Sequence, residues 1–396
     1  MDSFLESKNN RIRSMDVMRG MTLFLMLFVN DLFVPGVPSF LVHTAASTDG
    51  MGLADWVFPG FLFMVGMSVP YAMQARVKKG DSGFALYGHV LFRTISLLII
   101  SVLILNGSKL DAEQVGMASL TWLILLYVSI FFVWNNYPKC HKNNWLFFIL
   151  RIIGLIGICY LIVIFKSNTG GWLEISWWGI LGLIGWGYFA SAMIYNIVKG
   201  KMVFIALACL GFLLLNILSQ LGLTSNIINR IPFLSVLLSA NVPLIVLSGT
   251  LTAVYISKEK NSNVLLRNLF FLAIIWLIAG FFLRNWFILS KIYGTPSWAL
   301  VCNGISLLFF LLLYYLVDIM KFTRGLKLFE EAGKNSLTTY LAPDIIYYIL
   351  WSLPFTVLAY KQPDNMLIAL LGSLIWAFVM LLMAIGLKKL NIHLKL

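Results

Sequence analysis

The chain is built from apolar runs of bilayer-spanning length, repeated from near its start to near its end. A spanning helix needs about 20 mainly apolar residues. Runs of that order occupy 17–34, 54–75, 84–105, 117–134, 145–166, 176–197, 202–221, 238–256, 264–283, 298–320, 336–360 and 366–387. With 60% hydrophobic and only 11% charged residues, there is too little polar surface to cover a water-soluble globule. The expectation is an all-α polytopic membrane protein of about twelve transmembrane helices, ten at the fewest. The breaks between runs are too short to fold alone, so residues 1–396 read as a single transmembrane domain. Pro343 and Pro354 interrupt the run 336–360, which allows a broken or re-entrant element there.

Charge then orients the chain. Its net charge of +13 is not gathered into a basic stripe with interleaved aromatics, so a nucleic-acid partner is not expected. The Lys and Arg residues fall instead in alternate breaks. One set holds Arg76, Lys78 and Lys79, then Lys139 and Lys142, Lys199 and Lys201, Lys258, Lys260 and Arg267, and finally Lys321, Arg324, Lys327 and Lys334. The other set is poorer: Asp49, then Lys109 with Asp111 and Glu113, Glu174, Arg230, and Arg284 with Lys291. Short cytoplasmic loops are enriched in Lys and Arg, so both termini are expected in the cytoplasm, with 1–14 as a cytoplasmic N-terminal segment. No small-residue cleavage site follows the first apolar run, and the first helix is expected to be retained. Cys140, Cys159, Cys209 and Cys302 show no paired spacing, so neither a disulfide nor a metal site is expected.

The first helix starts at a charged mouth, RIRSMDVMRG, with Arg11, Arg13, Asp16 and Arg19. At 1.5 Å per residue it delivers Asn30 and Asp31 roughly 20 Å beyond Asp16. A polar loop then carries His43, and Asp55 opens the next helix at the same face. A histidine, a carboxylate and an amide at one membrane face suit acid–base chemistry, since imidazole accepts a proton near neutral pH, a carboxylate orients it and an amide donates to a developing oxyanion. The competing reading is a solvated loop histidine and an acid favoured by the helix dipole.

The stretches RIRSMDVMRGMTLFLMLFVN, the His43 loop, ADWVFPGFLFMVGMS, SKIYGTPSWAL, LVDIM and AGKNSLTTYL resemble the heparan-alpha-glucosaminide N-acetyltransferase family and its bacterial relatives. The resemblance implies a transmembrane acyltransferase that uses cytoplasmic acetyl-CoA and delivers acetyl to an amino sugar on the opposite side. In it, His43 matches the catalytic histidine, Asn30 the asparagine that ends the first core helix, and Asp55 the acid that opens the next. The resemblance also implies a multi-pass protein of a bacterial inner membrane, in contact with lipid, with a glucosamine-type acceptor and a homodimeric state. The approach to His43 is longer than in the family and contains Pro35 and Pro38, and a helical hairpin near 176–221 is additional.

Other polar residues take both a functional and a structural reading. Arg11, Arg13 and Arg19 suit coenzyme A phosphates or topology; the mixed account pairs Asp16 with Arg19 and turns at least one arginine to the nucleotide. Asn335 and Ser336 either cap a helix or present donors to phosphate. Asp344, placed mid-membrane after Pro343, is a substrate-binding candidate or a partner for Arg93. Asp31, Lys291 and Trp298 are further candidates for the acceptor site, Trp298 as a stacking surface or an interface anchor. His89, His141 and His393 read as solvated or interfacial. The alternative function is an amino-sugar transporter, although no inverted repeat of the carrier kind is visible; a non-catalytic scaffold leaves the intramembrane polar residues unexplained.

Overall fold

The computed structural model describes residues 12–138, 144–354, 358–362 and 365–396. Each of the twelve apolar runs carries a long helix, with short helices between some of them, of which Lys327–Lys334 matters most here. The long helices and that short one are α1 (Arg13–Asp31), α2 (Leu53–Lys78), α3 (Phe84–Gly107), α4 (Ser119–Trp134), α5 (Asn144–Ile164), α6 (Ile180–Ile197), α7 (Met202–Gln220), α8 (Asn241–Lys258), α9 (Ser262–Leu283), α10 (Pro296–Leu313), the short α11 (Lys327–Lys334), α12 (Ser336–Ser352) and α13 (Met366–Lys389). Helices satisfy every backbone donor and acceptor within the segment, which lipid requires. Asn261 and Asn365 accept from the first free amides of α9 and α13.

Successive long helices run in opposite directions between two faces. Arg13 with Glu330, Lys388 with Glu331, and Asn135 with Asn391 meet at one face. Asp49 with Arg284, Lys109 with Glu174, and Asn216 with Gly294 meet at the other. Among the described residues, eight helices are by themselves long and apolar enough to span a membrane. A ninth span forms if α8 is joined to the short helix before it, across a bend of 50°. Twelve long helices thus stand where about twelve spans are expected, and eight or nine of them meet the length and apolarity of a span. The other three long helices fall short: α1 carries Arg13, Asp16, Arg19 and Asp31, α4 has 16 residues and α12 has 17. The run 336–360 is not broken at Pro343, which lies inside α12; the helix ends at Ser352 instead.

Burial sorts the helices into centre and periphery. The apolar window of α2 is 83% buried, whereas those of α5 and α7 are 17% and 11% buried and turn their side chains to lipid. Cys209 and Cys302 are buried, Cys159 is exposed on α5, and Cys140 and His141 lie outside the described residues.

Helix α1 docks on α11 through two glycines. A Cβ on Gly20 would fall 1.8 Å from the Phe329 carbonyl oxygen, and one on Gly333 would fall 2.0 Å from that of Asp16. Only glycine permits that approach. The sequence motifs at the two ends of the chain, MDVMRG and AGKNS, are thus the two sides of one helix crossing. The Asp318 carboxylate, on a π-helical turn (Tyr314–Ile319) that continues α10, accepts from the Arg13 and Ser14 amides at 3.1 and 3.0 Å and caps α1 from outside.

Candidate active site

The site begins with the loop between α1 and α2. His43 Nδ1 lies 2.7 Å from Asp55 Oδ1. The other carboxylate oxygen of Asp55 accepts from the Thr44 and Gly52 amides, each at 3.0 Å. Asp55 is 1% exposed while the His43 side chain is 50% exposed. A carboxylate fixed by two backbone amides is an acceptor, so Nδ1 carries the proton and donates. Nε2 is left as the unprotonated, basic nitrogen of the ring.

A second loop, between α9 and α10, closes over the first. Asp49 accepts from Arg284 Nε and from the Leu289 amide, and Ser290 Oγ donates to the Ala46 carbonyl. The Leu289 amide, aided by Arg284, holds the Asp49 carboxyl below the usual carboxylate range. This staple brings Lys291 Nζ to 3.4 Å from both ring nitrogens of His43 and to 3.3 Å from the Ala54 carbonyl. Burial pushes the Lys291 ammonium down from the usual lysine range, against the pull of Asp55.

Two acceptor-site expectations change. Trp298 is 2% exposed and donates through Nε1 to the Asp55 backbone carbonyl at 3.2 Å. A ring closed in that way has no face for a sugar; it holds the start of α2. Asp31 is 1% exposed and binds the hydroxyls of Tyr347 and Tyr360 and the Lys361 ammonium, the last at 2.8 Å. It is a clamp joining α1, α12 and the segment before α13. Its neighbour Asn30 is exposed at the end of α1 and makes no side-chain hydrogen bond among the described residues.

At the opposite face a cavity of ≈ 310 Å³ opens among polar residues and continues inward among apolar ones. Arg19, Lys334, Asn335, Ser336 and Lys395 line its outer part, and Leu23, Met26, Phe61 and Ile184 its inner part. Arg19 pairs with Asp16 at 3.4 Å, as the sequence implies, and also reaches the Gly333 carbonyl. Asn335 does not cap α12: its side chain donates to the Ala384 carbonyl at 3.4 Å. Arg13 does not line the cavity; it binds Glu330 at 2.6 Å. Arg11 lies outside the described residues. Phe61 is six residues beyond Asp55 on α2, or about 9 Å of helix rise.

Asp344 accepts from the Tyr127 hydroxyl at 2.6 Å and has no bond to Arg93. The sequence signal for that partner was weak, because a tyrosine on α4 is one aromatic among many. The closeness of Lys291 to His43 was equally hidden, since 248 residues separate them.

Fold and site together define a polytopic α-helical membrane protein with a histidine–aspartate pair at one face and a polar-mouthed cavity at the other. No family model matches the chain. It is 38% identical over 96 residues to heparan-alpha-glucosaminide N-acetyltransferase of Homo sapiens, a stretch amounting to 24% of this chain and 14% of that protein. To the protein of the same name from Mus musculus it is 37% identical over 100 residues, or 25% of this chain and 15% of the relative. Over about that quarter of its length, the chain is a relative of the heparan-alpha-glucosaminide N-acetyltransferases.

Proposed function

We propose that the protein is a transmembrane N-acetyltransferase that takes acetyl from acetyl-CoA at the Arg19 face and transfers it to the amino group of a glucosamine-type sugar at the His43 face. The observation that carries this reading is the His43–Asp55 pair, with Nδ1 held at 2.7 Å by a buried carboxylate and Nε2 left as a base. That both relatives are N-acetyltransferases supports the reaction class. The positive charge of the Arg19 face supports a cytoplasmic position for it, and hence the inner membrane of a bacterium with both termini inside.

In the direct route, His43 Nε2 takes the proton of the attacking amine as the C–N bond forms. The thioester C–S bond breaks and the thiolate leaves as coenzyme A, taking up a proton. In the two-step route Nε2 attacks the thioester, the C–S bond breaks and coenzyme A leaves as thiolate; the amine then displaces the imidazole from acetyl-histidine, and the freed Nε2 takes the amine proton. Asp55 stabilises the imidazolium in both. Asn30 polarises the thioester carbonyl, and Lys291 places a cation beside the developing charge. Asn335 and Ser336, with Arg19, receive the nucleotide end of the donor.

The test is incubation of the detergent-solubilised protein with acetyl-CoA and a panel of amino sugars, followed by mass spectrometry of coenzyme A and product, with His43→Ala alongside. Acetylated sugar that depends on His43 is the expected result. Sugar binding without any acetyl-CoA binding or turnover contradicts it and favours a carrier. A homodimer is part of the proposal and is read from the mass of the particle in light scattering.

A further inference from the structure

Of the four cations lining the cavity, Lys395 is an exposed residue of the tail, and Arg19 and Lys334 already face carboxylates: Arg19 pairs with Asp16, and Lys334 pairs with Glu330 and Glu331. Arg93 is different. It lines the same cavity from α3, nine residues in from Phe84, or about 14 Å of helix rise. No carboxylate lies within ion-pair distance of it among the described residues. Its Nε is shut off from solvent and has no hydrogen-bond partner. Its guanidinium carbon lies 4.6 Å from the centre of the Tyr188 ring, which holds the group in place from α6. The nearby His89 imidazole is bonded to Arg76 and supplies no negative charge.

A cation kept unpaired this far into a membrane protein marks a ligand path or site. A guanidinium held against an aromatic ring presents its N–H fork in a fixed direction, which suits the paired oxygens of a phosphate. We propose that Arg93 anchors a phosphate group of the thioester donor inside the cavity. This assignment rests on the reading of acetyl-CoA as donor. It makes Arg93 a specificity residue: a thioester on the same arm without phosphates would lose this contact.

The experiment is calorimetric binding of coenzyme A, of pantetheine, which is the same arm without phosphates, and of inorganic pyrophosphate as competitor. It uses the full chain in detergent as wild type, Arg93→Gln and Arg93→Lys. Wild type is expected to bind coenzyme A more tightly than pantetheine and to release it to pyrophosphate. Arg93→Gln should bind coenzyme A about 10- to 100-fold more weakly, bind pantetheine unchanged and ignore pyrophosphate; Arg93→Lys, with the charge but not the fork, falls between. Where Arg93→Gln does not fold, judged by gel filtration, Arg93→Lys decides by the same comparison with pantetheine. A variant that binds coenzyme A as wild type does, or a wild type that does not distinguish coenzyme A from pantetheine, overturns the Arg93 assignment alone. A folded wild type that binds neither coenzyme A nor pyrophosphate overturns the donor reading and the assignment together.

Discussion

His43 sits in a loop, and its ring is oriented by Asp55, which is itself held by two backbone amides and by its place at the first turn of α2. Replacing His43 by Ala removes the base and should lower acetyl transfer by at least about 100-fold, read as coenzyme A release, with coenzyme A binding retained. Asp55→Asn keeps the shape but favours the wrong imidazole tautomer; turnover should fall by up to about 10⁴-fold, the scale of that loss in other histidine–aspartate pairs, with KM for acetyl-CoA little changed. The adjacent residues Asn30 and Asp31 separate chemistry from structure. Asp31→Ala strands the part-buried Lys361 and two tyrosines, costing about 3 kcal/mol of unfolding free energy. Asn30→Ala should leave thermal unfolding unchanged and lower turnover; the reverse pattern would mean that the two roles are exchanged.

The glycine crossing of α1 and α11 positions both Arg19 and the Asn335–Ser336 end of the cavity. Gly20→Ala forces a methyl against the Phe329 carbonyl and must separate the two helices. A loss of about 2 kcal/mol, within the usual range for overpacking, should appear in thermal unfolding, together with weaker coenzyme A binding. At this scale the sequence was legible where periodicity and length speak: all twelve long helices lie on the apolar runs, because lipid leaves the backbone no other local structure. It was not legible which partners answer the polar residues of α1, because those partners are distant in sequence. Asp318 caps α1 from about 300 residues away, and no local pattern records that. Trp298 was misplaced for a related reason: an interfacial tryptophan and one bonded to a buried backbone look alike until the neighbouring helix is in position.

Across the whole molecule, the two ends of the chain are joined at one face by a chain of ion pairs. Arg13 meets Glu330, Lys334 bridges Glu330 and Glu331, and Lys388 meets Glu331. Lys388 and Lys334 lower the Glu331 carboxyl from its ordinary 4.5 to about 2. A carboxylate whose folded value is depressed stabilises the fold above its unfolded value and stops doing so as pH falls through its folded value. Glu331→Gln should therefore unfold at a lower temperature than wild type at neutral pH, with the gap closing between pH 4.5 and about 2; a gap independent of pH would mean that the ion pairs do not stabilise the fold. The candidate site was only half visible from the sequence. His43 and Asp55 are 12 residues apart and were found by their place on a short loop and helix start. Of the residues expected to meet the donor, Arg19, Asn335 and Ser336 line the cavity and Arg13 does not, while Arg93 was read only as a partner for Asp344.

The central claim is transfer from one face to the other by way of His43, and a sided assay in proteoliposomes tests it most directly. With acetyl-CoA on the Arg19 face and an amino sugar on the His43 face, N-acetylated sugar should accumulate on the His43 face while coenzyme A is released on the Arg19 face, and neither should form with His43→Ala. Product formed only when both substrates share one face, or formed equally well by His43→Ala, would contradict the account.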